Sequence, residues 1–488
     1  MPGIKKEALG LYGLAALSGG LLAMSYAMHP LWWAAWFAPA PVIVATLRAP
    51  VASRRWLTLV AGVIGGISSF SYHLTVGGWL AALLILVLVA VAWSGAIRLT
   101  VTFVERGQSL RAVLAVPVTW AAIDTLLIHL SPHGSAGSIA YSQMDALPVI
   151  QVASLGGVPA VTFVVLLAGS LLGVLLAGTS TVNRRSLLAT SALAAASIGA
   201  CLLFGAVRLH DAVSAPGVKV ALIATDGVRT QPRSWDAFRK IYGGEIARVI
   251  GPGTIVLLPE AIVRLPAAPA EQAGRSLAAY ASQHQATVVV GIIVEEAGRL
   301  TNRALIAQPD GRYRWYLKQH LIPGVEAGIT PGTRPLVLRY ATTGIGVAIC
   351  KDMHFPSLSR DYARSNARLM LVPAYDFDVD DWLTARMTVL RGVESGSSIA
   401  RAARNGISFV SDRYGRVVAE RRSNAVIATL LTRAPADPGQ ATYYALLGDV
   451  FGWGCVVVWA MLLASRASKL ASSATDDRFR EVAQISDA

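Results

Sequence analysis

Three residues at the ends of apolar runs have side chains that together can do acyl chemistry. They are Glu260 in "IVLLPEA", Lys318 in "RWYLKQHLIP" and Cys350 in "GVAICKDMHFP". A thiolate attacks a carbonyl, a carboxylate takes the thiol proton, and an ammonium stabilises the oxyanion that forms. Taken singly, each residue has a plain alternative: Glu260 as a helix N-terminal acid, Lys318 as a solvated strand lysine, Cys350 as a core thiol. Taken together they supply a base, an oxyanion stabiliser and a nucleophile, in that order along the chain. Cys350 is also set apart by its setting, because the other two cysteines, Cys201 and Cys455, sit in long apolar stretches. One thiol outside the apolar blocks excludes an intramolecular disulfide framework, and cysteine usage leaves the compartment open.

Such residues need strand ends to hold them. Between about 217 and 435 the chain shows short β-type runs: "VKVALIAT", "GTIVLLP", "ATVVVGIIVE", "GIGVAIC", "ARLMLVPA" and "ISFVSD". Helical stretches such as "DAFRKIYGGEIARVI" and "EQAGRSLAAYASQHQ" separate several of them. Apolar runs with covering helices predict a layered α/β domain with sheets buried on at least one face. In such sheets, reactive side chains collect at strand ends and on the loops that follow.

The rest of the chain has a different solvent. At 488 residues, 54% hydrophobic and mean hydropathy +0.51, it is too apolar for an ordinary soluble protein. A spanning helix needs about 20 mostly apolar residues. Seven candidates precede residue 207, at 8–28, 31–47, 56–74, 79–97, 112–131, 157–179 and 186–206, and an eighth covers 446–465. The first resembles a signal peptide in having Lys5 and Lys6 before it, but "SYAMHPLWW" is a poor cleavage site, so it is read as a retained helix. "GGLLAMSYA" and "GVIGGISS" read as small-residue packing faces between helices. Arg48, Arg54, Arg55, Arg98, Arg106, Arg111, Arg184 and Arg185 fall in alternate interhelical loops, while the loops near His29, His73 and 132–156 contain no Lys or Arg. The positive-inside rule makes the basic set cytoplasmic and puts the α/β segment outside. The expected organisation is a membrane domain at 1–206 with seven spans and an extracytoplasmic catalytic domain at 207–445. An eighth span at 446–466 and a cytoplasmic polar tail at 467–488 complete it.

At this point the motifs resemble those of a known family. "LPEA", "YLKQHLIP" and "ICKD" are similar to the Glu–Lys–Cys triad of the nitrilase, or carbon–nitrogen hydrolase, superfamily. With spans before and after, the chain resembles its membrane-embedded branch, the apolipoprotein N-acyltransferases. Further likeness lies in "TQPRSWD" with Trp235, in "KQHLIPGVE" with Glu326, and in "TVLRGVESGSSIARAARNGIS" with Arg391, Glu394, Arg401, Asn405 and Gly406. It extends through "TYYALLGDVFGW", "PVTWAAIDTL" and "YSQMDALPVIQVASLGGV". The resemblance implies an αββα sandwich with Glu260, Lys318 and Cys350 as catalytic residues. It implies Glu326, Trp235, Lys351, Asp352, Glu394 and Asn405 as supporting or substrate-binding residues. It also implies transfer of a fatty acyl chain from a membrane phospholipid, through a Cys350 thioester, to the amino terminus of a diacylglyceryl-cysteine lipoprotein in the bacterial inner membrane. No cofactor is implied, and a monomer is expected.

Three stretches depart from the family pattern. The nucleophile is followed by Lys351 and Asp352 where Tyr–Glu is usual, so a cation beside Cys350 is expected to lower the thiol pKa. An acidic "PAYDFDVDDW" replaces a Trp-containing loop, and "SPHGSAGS" replaces a Phe-Pro-Trp element. Trp235, Tyr375, Phe377 and Trp382 are candidates to cover the site. Asp376, Asp378, Asp380 and Asp381 are candidates to attract a protonated amine, with a solvated, mobile lid as their plainer role. A membrane-anchored amidase, transfer to a different amine, and a scaffold with a decayed site stay open beside acyl transfer. The net charge of +14 comes without zinc-finger spacing or a Lys-rich arm, so nucleic acid is not expected as a partner. The eight His form no HxH or HExxH spacing, with His320 and His354 standing singly, so no metal site is expected. No Gly-rich phosphate loop implies a nucleotide.

Overall fold

The computed structural model describes residues 2–178, 180–210, 217–228, 230–340, 343–436 and 439–466. The polar tail expected at 467–488 lies outside the described residues. The chain packs as two compact units. One gathers the described residues of Met1–Leu126, Val158–Leu202 and Asp449–Ala488; the other gathers those of Leu127–Gly157 and Leu203–Gly448.

Among the described residues, five helices are long and apolar enough to cross a bilayer: Lys6–Ser25, Phe70–Glu105, Ser109–Leu130, Ala153–Ala177 and Arg184–His210. The spans expected at 31–47 and 446–465 fall on the shorter apolar helices Ala34–Arg48 and Val450–Arg466, and that at 56–74 on the 17-residue Val51–Ile67. A helix of that length rises about 25 Å, short of the ~30 Å hydrocarbon thickness. The next helix restarts early, at Phe70, with its break inside it at Gly78. The small-residue faces do pack helices closely. A Cβ on Gly62 would stand 2.7 Å from Ala90 Cα, and one on Gly65 would stand 2.4 Å from Leu22 Cδ2. Buried polar groups of this unit meet one another, as lipid requires: Thr162 Oγ1 donates to Asp124 Oδ2 at 2.5 Å, and Trp120 Nε1 to the Tyr26 hydroxyl at 2.8 Å.

Among the described residues, the second unit has thirteen strands. The first six are β1 (Val218–Ala224), β2 (Thr254–Leu257), β3 (Val263–Pro266), β4 (Thr287–Glu296), β5 (Arg299–Ala307) and β6 (Tyr313–Leu317). The next six are β7 (Leu336–Tyr340), β8 (Thr343–Val347), β9 (Ala367–Tyr375), β10 (Ser398–Arg404), β11 (Ile407–Ser411) and β12 (Val417–Arg422). The last, β13 (Ala428–Ala434), returns to the first sheet, ordered β13-β1-β2-β4-β5-β6 with β3 paired to β4. The second sheet is ordered β12-β11-β10-β9-β8-β7.

Period-two alternation explains why the strand sequences are continuously apolar. Val220, Leu222, Ile255, Leu257 and Val289 point into a core shared with Ile345, Val347, Leu369, Leu371, Ala400 and Val410 of the second sheet. Their neighbours Ala221, Ile223, Val256, Val288 and Val290 face the other way, into a core with Phe238, Tyr242, Ile246, Leu277 and Ala281. Both faces of the first sheet are therefore dry. The helix Ala267–Gln283 buries Ala270, Ala273, Gly274, Leu277, Ala278 and Ala281, one stripe at helical spacing. The helix Trp235–Val249 starts where the Ser234 side chain accepts from the Ala237 amide, and it buries Phe238, Tyr242 and Ile246 at every fourth position. The helices Pro356–Arg364 and Asp381–Ser395 cover the second sheet. The layering is helix, sheet, sheet, helix, the αββα sandwich that the resemblance implied.

Candidate active site

Three buried side chains of the first sheet and its loops, Glu260, Asn302 and Lys318, form a charged cluster with the half-buried Glu326. Glu260 follows β2, and Lys318 follows β6 directly. Lys318 Nζ donates to Glu260 Oε1 at 2.7 Å and to Glu326 Oε2 at 2.8 Å, and Lys318 is only 1% exposed. Asn302, on β5, donates through Nδ2 to both carboxylates, at 2.6 Å to Glu260 and 3.0 Å to Glu326. Glu326 also accepts from the Ile322 amide at 2.8 Å, which ties the loop after β6 to the cluster. Backbone geometry presses Glu260 into place. A Cβ on Gly291 would lie 2.3 Å from Pro259 O and 2.5 Å from Glu260 Cα, so only glycine admits this approach. The next residue, Ala261, has φ 52, and the Glu260 amide donates across to Ala374 O of β9 at 3.3 Å.

The second sheet supplies the thiol. Cys350 begins a 3-10 turn, Cys350–His354, just past β8, with φ 43. A left-handed conformation at a non-glycine residue costs energy and persists where the surroundings over-determine it. Here they do. Asp352 Oδ2 accepts from the Ile349 amide at 3.0 Å and the Tyr316 hydroxyl at 2.7 Å, and Oδ1 accepts from the Gln319 and His320 amides at 3.1 and 2.8 Å. On the far end of the turn, His354 O accepts from the Ser135 amide at 3.0 Å and from its hydroxyl at 2.8 Å. A Cβ on Gly134, at φ 60, would stand 2.5 Å from the same carbonyl oxygen. Ser135 Oγ lies 2.6 Å from the Tyr141 hydroxyl, which accepts from Arg391 Nη2 at 3.1 Å. Thus "SPHGSAGS" packs on the nucleophile turn.

The electrostatics of the two halves interlock. Burial lifts Glu260 above the ordinary carboxylate range, Lys318 pulls it back, and Glu326 adds to the rise. Burial opposes the Lys318 charge, yet Glu260 and Glu326 hold its pKa above the usual lysine value. Burial and the Glu260 charge push the Cys350 thiol well up, against the pull of Lys318 and Arg401. The thiol is therefore not ionised in advance, contrary to the expectation that Lys351 would lower its pKa. Desolvation and a neighbouring carboxylate outweigh the cations. The cation itself yields instead: burial and Lys318 bring Lys351 down to about 8. Its Nζ donates to Leu321 O at 2.9 Å, a second tie between the nucleophile turn and the Lys318 loop. Cys350 Sγ donates to Tyr375 O at 3.5 Å.

The structure thus brings together Glu260, Lys318, Glu326, Cys350, Lys351 and Asp352. Tyr375, Asp376, Arg401 and His320 adjoin this cluster, while Trp235, Glu394 and Asn405 engage other partners. Trp235 stacks on Phe238 at 4.4 Å and lines a groove of about 690 Å³ between the helices Trp235–Val249 and Ala267–Gln283. Glu394 forms a buried pair with Arg391 at 2.6 Å, and the Asn405 amide donates to Asp226 Oδ1 at 2.7 Å. His320 stacks on Phe355 at 3.7 Å beside Asp352. The acidic stretch is not a solvated lid. Asp376 is fully engaged by Arg401, Asp381 pairs with Arg422 at 2.7 Å, and Asp380 is buried; of the four, Asp378 faces solvent. Arginines on β10 and β12 pair with two of the four aspartates, Asp376 and Asp381. Asn302 and Ser135 escaped the sequence reading. The one available signal for Asn302 was a polar residue interrupting "LTNRALIA".

Residues 18–171 match the family described as the apolipoprotein N-acyltransferase N-terminal domain, and residues 242–433 match the carbon–nitrogen hydrolase family. An apolipoprotein N-acyltransferase of Geobacter metallireducens is 26% identical over 505 residues, spanning 93% of this chain and 94% of that one. One of Pasteurella multocida is 22% identical over 500 residues, spanning 92% and 94%. Among solved structures, a CN-hydrolase superfamily protein of Xanthomonas campestris overlays 45% of this chain and 92% of its own, at 20% identity and a TM-score of 0.39.

Proposed function

For a chain that belongs to the apolipoprotein N-acyltransferase family, we propose acyl transfer through a Cys350 thioester, from a membrane phospholipid to the amino-terminal amine of a diacylglyceryl-cysteine lipoprotein. One observation carries this reading: Lys318, bridging Glu260 and Glu326, stands within electrostatic reach of Cys350 at the meeting of the two sheets. Glu260, with its raised pKa, takes the Cys350 proton as sulfur attacks the ester carbonyl. The Lys318 ammonium meets the oxyanion, and its charge is already compensated, so little reorganisation is needed. Glu260 then protonates the departing glycerol oxygen, the C–O bond breaks, and a lysophospholipid leaves the thioester behind. In the second half a neutral amine attacks the thioester and gives its proton to Glu260, which returns it to the Cys350 thiolate as the C–S bond breaks. Glu326 and Asn302 hold the ammonium and the carboxylate in register, and Asp352 holds the nucleophile turn.

The long apolar helices give the donor a bilayer to arrive from. In this reading 1–206 is the membrane domain, 207–445 the catalytic domain on the outer face of the bacterial inner membrane, 446–466 an eighth span and 467–488 a cytoplasmic tail. Reporter fusions after Arg185 should report the cytoplasm and one at Gly217 the outside; the reverse would remove the lipoprotein acceptor. The transfer itself is tested by loading the purified full chain with phospholipid and then adding a diacylglyceryl-modified amino-terminal peptide. The thioester should persist alone and discharge onto the peptide. Steady fatty-acid release that ignores the peptide would make the enzyme a hydrolase.

A further inference from the structure

We propose that Arg404 holds the phosphodiester of a glycerophospholipid donor, an inference that rests on the acyl-transfer reading above. Strands β8, β9 and β10 are parallel neighbours in that order. Cys350 follows β8, Tyr375 ends β9 and Arg404 ends β10, paired in register with Tyr375. Their carboxyl ends form one rim, where open α/β sheets bind ligands. With strands about 4.8 Å apart, two spacings place Arg404 roughly 10 Å along the rim from the nucleophile. In a glycerophospholipid, one glycerol skeleton separates the ester carbonyl from the phosphodiester. That skeleton plus the reach of a guanidinium matches the span.

The residue is also free to take an anion, unlike its neighbours. Lys318 is engaged by Glu260 and Glu326, and Arg401 by Asp376. Among the described residues, the buried Nε of Arg404 finds no hydrogen-bond partner. Its guanidinium carbon stands over the Tyr375 ring, 4.1 Å from the centroid, and Tyr375 is 41% exposed. The ring contact holds the guanidinium at the rim, and its terminal N–H groups can meet the oxygens of a phosphodiester. Tyr375 belongs to both halves of this arrangement, because its carbonyl accepts from Cys350 Sγ at 3.5 Å while its ring carries Arg404. Headgroup anchor and thiol are thus referenced to one residue. A cation here also repels a protonated amine, so the rim favours the donor over an unreacted acceptor in the first half-reaction.

The experiment follows turnover of an uncharged chromogenic acyl ester by the full chain in detergent, with a soluble glycerophosphodiester, deacylated phospholipid, as competitor. Competition should be present in the wild type, should weaken about tenfold in Arg404→Gln and should return in part in Arg404→Lys. Absence of competition in the wild type, or equal competition in wild type and Arg404→Gln, would overturn the proposal. Inorganic phosphate competing as well as the diester would also overturn it, by assigning the residue to free phosphate. Arg404-dependent competition without any acyl transfer from intact phospholipid would uphold the anion site and defeat the proposed function instead.

Discussion

On the first sheet, Glu260, Asn302, Lys318 and Glu326 are charges and dipoles that hold one another. On the second, Cys350 is an uncharged thiol on a strained turn, fixed by contacts at both ends. In the proposed transfer, the first half supplies the electrostatics before substrate arrives, and the second supplies the direction of attack. The difference teaches where each half is vulnerable: the charged half fails when a partner is removed, and the strained half fails when a contact around it slackens.

The largest effect is expected on the charged side. Lys318→Met leaves two carboxylates buried without their ammonium and should destabilise the fold by about 3–5 kcal/mol, besides removing activity. Acidification should then restore part of the stability. Carboxyl groups whose folded pKa lies above the unfolded value bind more protons when folded, so stability rises as pH falls through that window. Thermal unfolding of wild type and variant from neutral pH downward checks this; a parallel fall of both curves would mean the cluster is not charged as described.

A smaller effect belongs to the strained side. Ser135→Ala deletes the hydroxyl donor to His354 O and should cost about 1 kcal/mol. It should also slow alkylation of Cys350 several-fold, because the turn that aims the thiol loosens. Gly134→Ala, which drives a methyl group into His354 O, should do more of the same. An alkylation rate that both variants leave untouched would show that the turn needs no support from this segment.

The smallest effect concerns Lys351. With its folded pKa near about 8 and an unfolded value in the ordinary lysine range, the folded state releases this proton first. Stability should therefore climb as pH rises from about 8 toward the lysine range, and Lys351→Met should flatten that slope. Equal slopes in melting temperature over this range would place Lys351 in contact with solvent.

The parts legible in the sequence were those with one solvent on both sides. Runs such as "ATVVVGIIVE" announced β4 because each of its faces packs into a core. The stripe of Ala267–Gln283 was legible for the opposite reason, one dry face and one wet. β10 was not read as a strand, since "SIARAAR" carries charge. It is buried because Arg401 finds Asp376 across the sheet, a pairing 25 residues apart that local pattern cannot express. The same pairing ties Asp376, one of the candidates to attract an amine, into the structure. β12 and β13, "VVAERR" and "ATLLTRA", are half-exposed strands with too little apolar alternation to stand out. Within the site, the types and order of Glu260, Lys318 and Cys350 point to a cluster, and Glu326 comes from the family resemblance. Ser135 lies 215 residues from the thiol it supports, in a glycine-containing loop between two helices, and no residue type marked it.

The central claim is that the two halves act as one site, with Glu260 drawing the proton from Cys350. Peptide-mapped mass spectrometry of the full chain after incubation with phospholipid tests it most directly. The account predicts a fatty-acyl adduct on Cys350 in the wild type and a rate of adduct formation lower by about 10²–10⁴-fold in Glu260→Gln. An acyl group on another residue, or an adduct on Cys350 formed at the wild-type rate in Glu260→Gln, would contradict it.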